Sequence, residues 1–146
     1  MDGKGENLYD SCMPHLTHPR AIQNYNLFGE SGDFPDVVHC ESIATRSTLH
    51  NWEFSPHRHA QLHQVLLIEN GGGTARIEGE RYTLAPNSIV NVPVGLVHGF
   101  SFHPQTSGLV VTMGEEIIDE TLSALEGVRQ VFNQYGMFTS SIEIRQ

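Results

Sequence analysis

The chain has 146 residues, with 8 basic and 17 acidic side chains, 9 histidines and a formal net charge of −9. That length suits one domain burying about two-thirds of its unfolded surface, and 38% hydrophobic residues are too many for a disordered chain. Its seven arginines and one lysine are scattered and give no electrostatic footprint for nucleic acid; no stretch approaches the roughly 18 apolar residues of a membrane helix, and no basic-then-apolar leader opens the chain.

Residues 1–36 recur in Gly, Asn, Asp, Pro and Ser and read as an irregular arm, with one short strand near Tyr25–Phe28; simple disorder over residues 1–20 is the other reading. From Val37 the texture changes. Short apolar or alternating runs follow at Val37–Ala44, Leu49–Phe54, His63–Ile68, Thr74–Glu78, Arg81–Leu84, Ser88–Val92, Gly99–Phe102 and Leu109–Met113. Their starts lie about 8–12 residues apart, as in a sandwich or barrel, so an all-β domain is expected over 37–113. Gly71-Gly72-Gly73 and Glu78-Gly79 read as hairpin turns. Residues 114–146 form a helix and tail: Glu115, Glu116, Asp119 and Glu120 crowd its start and Arg129 comes late, matching the helix dipole. Thr112 and Glu115 stand three apart like a capping box, and one helix of about 15–20 residues is expected within 115–135, with an apolar stripe along Ile118, Leu122, Leu125 and Phe132. It either packs on its own barrel or pairs with a second copy. Cys12 and Cys40 lie in unlike contexts, so two free thiols in a reduced, cytoplasmic protein are expected, with Cys40 in core packing.

Chemistry concentrates in PHRHAQLHQVLLIENG (56–71) and NSIVNVPVGLVHGFSF (87–102). His57 and His59 share a strand face, and two adjacent imidazoles are half of a transition-metal site. His98 opens the later strand and reaches them if the sheet closes on itself. A lone histidine is as easily a structural hydrogen-bonder, and the same groups also suit a metal-free polar pocket. Arg46 and Arg58 are candidates for bidentate pairing with a carboxylate. Trp52 and Phe54, and likewise Phe100 and Phe102, read as core or as the wall of a pocket for an aromatic ring.

The two segments resemble the cupin motifs G-x5-H-x-H-x3,4-E-x6-G and G-x5-P-x-G-x2-H-x3-N. His57, His59 and Gly71 match the first, with Gln64 where the glutamate stands; Pro93, Gly95 and His98 match the second. Asn51, Asn87 and Phe102 depart from the pattern. The phrases LFGE, DVVHCESIATRSTLHNWEFSPHRHAQLHQVLLI and IVNVPVGLVHGFSF look like the N-terminal sensor domain of AraC-type transcriptional regulators, most of all the branch responding to aromatic acids, over roughly residues 22–130.

That resemblance implies a double-stranded β-helix (a cupin, jelly-roll barrel) that binds an effector, a following helix that dimerises, and helix-turn-helix units that bind DNA. The DNA-binding part is absent from this chain, which reads as a truncation or a stand-alone relative. The site it implies is His57, His59, His98 and Gln64 around one divalent transition metal (Zn, Ni, Cu or Fe), with His63 as second choice for the fourth ligand. Arg46, Trp52, Arg58, His63, Phe100 and Phe102 are the expected ligand-binding residues. A neutral shell leaves a dication its full charge and favours an anionic effector such as an aromatic carboxylate. The expected partners are that effector and a second copy of the chain, with no membrane. The alternatives are a small metal-dependent cupin enzyme, a dioxygenase or isomerase, and a purely structural dimer module.

Overall fold

Period-two alternation makes the middle of this chain a sheet with one face in a core. Between Leu62 and Asn70, Gln64, Leu66 and Ile68 are buried while Leu67 and Glu69 face solvent. The computed structural model describes residues 22–24 and 38–139. In chain order these form β1 (Gln23–Asn24), β2 (Val38–Ser42), α1 (Ile43–Ser47), a 3-10 turn (Thr48–His50), β3 (Glu53–Arg58), β4 (Leu62–Asn70), β5 (Gly73–Ile77), β6 (Glu80–Leu84), β7 (Ser88–Val92), β8 (His98–Phe102), β9 (Ser107–Gly114), α2 (Glu115–Leu122), α3 (Glu126–Phe132) and β10 (Gly136–Thr139).

Two five-stranded sheets result, ordered β1-β3-β8-β5-β6 and β10-β7-β4-β9-β2. From β2 to β9 the strands alternate between the sheets except at the β5–β6 hairpin, in the nested antiparallel pairing of a jelly roll, β3 with β8, β4 with β7 and β5 with β6. The all-β roll expected from the sequence is the observed architecture. Leu66, Ile68, Val90, Val92 and Val110 from one sheet meet Ala75, Ile77, Phe100 and Phe102 from the other, and Ile43 joins them from α1. Each large apolar side chain so buried contributes about 1.5–3 kcal/mol.

The expected strand Leu49–Phe54 survives only at Glu53–Phe54, the start of β3, and Ile43–His50 ahead of it are helical. Ser42 caps α1, its Oγ accepting from the Thr45 amide at 2.9 Å, and Ile43 and Ser47, one turn apart, are the buried pair. After the 3-10 turn the chain reverses at Asn51 and Trp52, both at positive φ, and only then enters β3. A register shift in β3 between Phe54 and His57 accommodates Pro56, which has no amide to donate.

Glu78-Gly79 makes the expected hairpin between β5 and β6. Gly71-Gly72-Gly73 instead carries the chain from one sheet to the other. At Gly73 φ is +143°, and a Cβ there would lie 2.1 Å from the Ser101 carbonyl oxygen, so only glycine fits.

The expected single helix is two, broken at Ser123–Leu125, where Leu125 leaves helical geometry at φ −121°, ψ 59°. No capping box forms: Gly114 is the N-cap, and Thr112 lies within β9. Arg129 bridges the break to Asp119 at 2.6 Å. The second helix thereby turns back onto the roll, and β10, which alternation did not reveal, adds to the edge of β7. Cys40 is an exposed free thiol on β2, not part of the core; Cys12, the Tyr25–Phe28 strand and nearly all of the 1–36 arm lie outside the described residues. Among those described, no helix is long and apolar enough to cross a membrane.

Candidate functional site

The roll brings its two distant histidine segments together because β3 and β8 are neighbours, with His57 directly opposite His98 in the register. His59 follows immediately after β3. The ligand-capable atoms of His57, His59 and His98 all lie within 4.8 Å of one another, and all three residues are buried. Three imidazole nitrogens that close together could share one divalent ion.

Local backbone fixes the tautomers. His57 Nδ1 lies 2.8 Å from the Ser55 carbonyl oxygen and His98 Nδ1 lies 2.8 Å from that of Leu96. A carbonyl only accepts, so each Nδ1 carries the proton and each Nε2 keeps its lone pair. This is how histidine ligands are oriented in metal sites. His98 Nε2 is buried without a hydrogen-bond partner among the described residues, as a donor atom awaiting an ion would be.

Burial, reinforced by the neighbouring His57, pushes the His98 pKa down to about 3. Burial also lowers that of His57, with the charges of Arg46 and His50 acting in the same direction. These two imidazoles are therefore neutral at pH 7, the form that ligates, and the residues fit a divalent transition metal.

Beside this cluster a cavity of about 30 Å³ lies between the sheets, lined by Arg46, Ser47, Phe54, His57, Gln64, Leu66, Phe100, Phe102 and Val110. Phe100 and Phe102 stack at 5.4 Å between centroids, and Phe54 meets Phe102 edge-on at 6.2 Å. Gln64 is buried and its Nε2 donates to Thr112 Oγ1 at 3.2 Å, leaving its carbonyl oxygen as the acceptor.

Gln64, Arg46, Phe100 and Phe102 thus share a cavity wall with His57. Three other expected residues do not come to it. Trp52 packs against the core from its positive-φ corner and is not part of the lining. Arg58 is exposed, on the opposite face from His57. His63 is buried on the outer side of β4, because alternation turns it away when Gln64 turns in. Its Nε2 lies 2.6 Å from Asn91 Oδ1 and its ring 5.3 Å from that of Phe132 on α3, and burial lowers its pKa. Asn91 in turn donates to the carbonyls of Phe132 and Gln134 at 2.8 and 2.6 Å, tying α3 and β10 to the roll.

Sequence reasoning missed Ser47, Leu66 and Val110 as lining residues. Leu66 follows from Gln64 by alternation; Ser47 was hidden because 43–50 was not expected to be helical.

The AraC-like ligand binding domain family model matches residues 39–144. No curated protein matches the chain. Among solved structures, KdgF from Halomonas sp. is similar at 22% identity and TM-score 0.39, over 42% of this chain and 56% of that one. A cupin protein from Bacteroides fragilis is similar at 14% identity and TM-score 0.38, over 61% of this chain and 86% of that one. The match thus spans little more than half the length of KdgF.

Proposed function

This chain belongs to the AraC-like ligand binding domain family, and from that premise we propose that it is the effector-sensing, dimerising part of a transcriptional regulator whose DNA contacts fall to a separate domain. The observation that carries this reading is the cavity between the sheets, with an aromatic and aliphatic wall and a few convergent polar groups, Arg46, Ser47, His57 and Gln64. Such a lining suits an aromatic carboxylate. A divalent ion on His57, His59 and His98, with Gln64 as fourth ligand, would supply positive charge to hold the anion in place.

A cavity of about 30 Å³ has room for about two waters, whereas a drug-sized ligand occupies several hundred. Entry of a ring therefore requires the cavity wall to open. Leu125, Val128 and Val131 expose apolar surface on and beside α3, which supports dimerisation through this helix; sedimentation of the Val128→Glu/Val131→Glu variant is expected to return a monomer.

The test of sensing is thermal unfolding of the chain with benzoate, 4-hydroxybenzoate and 4-hydroxyphenylacetate. A ligand at 100 times its dissociation constant stabilises by about 2.7 kcal/mol, which raises Tm by roughly 5–10 °C for a domain of this size. No shift with any of them, in metal-free and metal-loaded protein alike, refutes the reading. The three buried histidines favour a second reading, a metal-dependent cupin enzyme. Oxygen consumption on catechols or hydroxy acids by iron-loaded protein, abolished in His98→Ala, would decide for it.

A further inference from the structure

Arg46 faces two ways. Its Nε lies 2.6 Å from Glu41 Oε1, with the two side chains only 19% and 17% exposed, and it also lines the cavity. Beside it Ser47, 1% exposed, has its Oγ buried without a hydrogen-bond partner among the described residues. A buried hydroxyl left unpaired costs free energy unless something in the cavity satisfies it. Besides these two groups the wall holds the polar His57 and Gln64 and the apolar Phe54, Leu66, Phe100, Phe102 and Val110. A guanidinium and a neighbouring hydroxyl in a wall that is otherwise mostly apolar suit a carboxylate on an apolar body.

The chain's net charge of −9 repels an anion at long range, so Arg46 is the local attraction, and Glu41 already occupies it. We propose that Glu41 is a tethered stand-in for the ligand's carboxylate: the incoming carboxylate replaces it on Arg46 and accepts a second hydrogen bond from Ser47 Oγ. When displaced, Glu41 still has the His39 ring beside it, whose Nε2 lies 3.8 Å from the same Oε1. Glu41 thus sets the affinity, and Arg46 selects carboxylates over isosteric amides. This inference rests on the reading that the cavity binds a small molecule.

The experiment is calorimetric titration of benzoate and phenylacetate, and of their uncharged amides, into the whole chain and into Glu41→Gln, Arg46→Gln and Ser47→Ala. With the competing carboxylate gone, Glu41→Gln binds the acids about two- to fivefold more tightly, in keeping with a partly screened ion pair, and leaves the amides unchanged. Arg46→Gln loses tenfold or more in affinity for the acids alone. Should Glu41→Gln fail to fold by circular dichroism, Glu41→Asp withdraws the carboxylate by one methylene and carries the same expectation. Acid affinity unchanged or weakened in the Glu41 variants overturns the exchange while leaving the cavity reading in place. Amides binding as well as acids does the same. Failure of acids and amides alike to bind the unaltered chain overturns both.

Discussion

His98 makes stability in the absence of metal depend on pH in a way that can be worked out in advance. In the folded chain it stays neutral down to about pH 3, whereas in the unfolded chain it takes up a proton near pH 6.5. Between these values the unfolded state binds the extra proton, so folding is penalised by about 1.4 kcal/mol for each unit of pH lost. From pH 6.5 to 5 that is about 2 kcal/mol from one side chain, a large part of a typical domain's total stability. His57 and His63, both lowered by burial, steepen the fall. Above pH 6.5 the contribution is flat, because the group is neutral in both states. Urea unfolding in the presence of a chelator, at half-unit steps from pH 8 to 5, gives the profile, and His98→Gln gives the reference. The difference between the two curves should be level above pH 6.5 and slope below it. Parallel curves throughout that range would refute the burial argument and with it the neutral-imidazole site.

Zinc or nickel should bind one equivalent to the chain, and affinity should fall at least tenfold in His98→Ala and rise in Gln64→Glu, where a carboxylate joins the shell; competition with a chromogenic chelator measures both. Asn91→Ala removes three hydrogen bonds of 2.6–2.8 Å and should cost about 2–4 kcal/mol at roughly 1 kcal/mol for each. A loss below 1 kcal/mol in denaturant titration would mean that α3 is held mainly by Phe132. Gly73→Ala forces a Cβ onto the Ser101 carbonyl and should destabilise by more than 2 kcal/mol; a Tm within 2 °C of the unaltered chain contradicts the close approach of β5 to β8 there.

Some of this was legible in the residues themselves. Alternation is local, so the runs at 63–68, 74–78, 81–84, 88–92, 99–102 and 109–113 announced strands that the fold retains with small changes of end. The resemblance to the cupin motifs, carried by His57, His59, Pro93, Gly95 and His98, implied which histidines belong together. A period of two says that residues share a face, but not which face is inside. Only the packing of β4 decided that Gln64 enters the cavity and His63 goes under α3. Only the path of the chain separated Arg46, carried to the cavity by α1, from Arg58, left in solvent. Ser42 caps α1, but a five-residue helix is marginal alone and persists here because Ile43 finds the core. The end of α3 and the approach to the added strand β10 are held by Asn91, more than forty residues away in sequence, which binds the carbonyls of Phe132 and Gln134. Partners at that separation are chosen by tertiary contact, and no window of local sequence contains them.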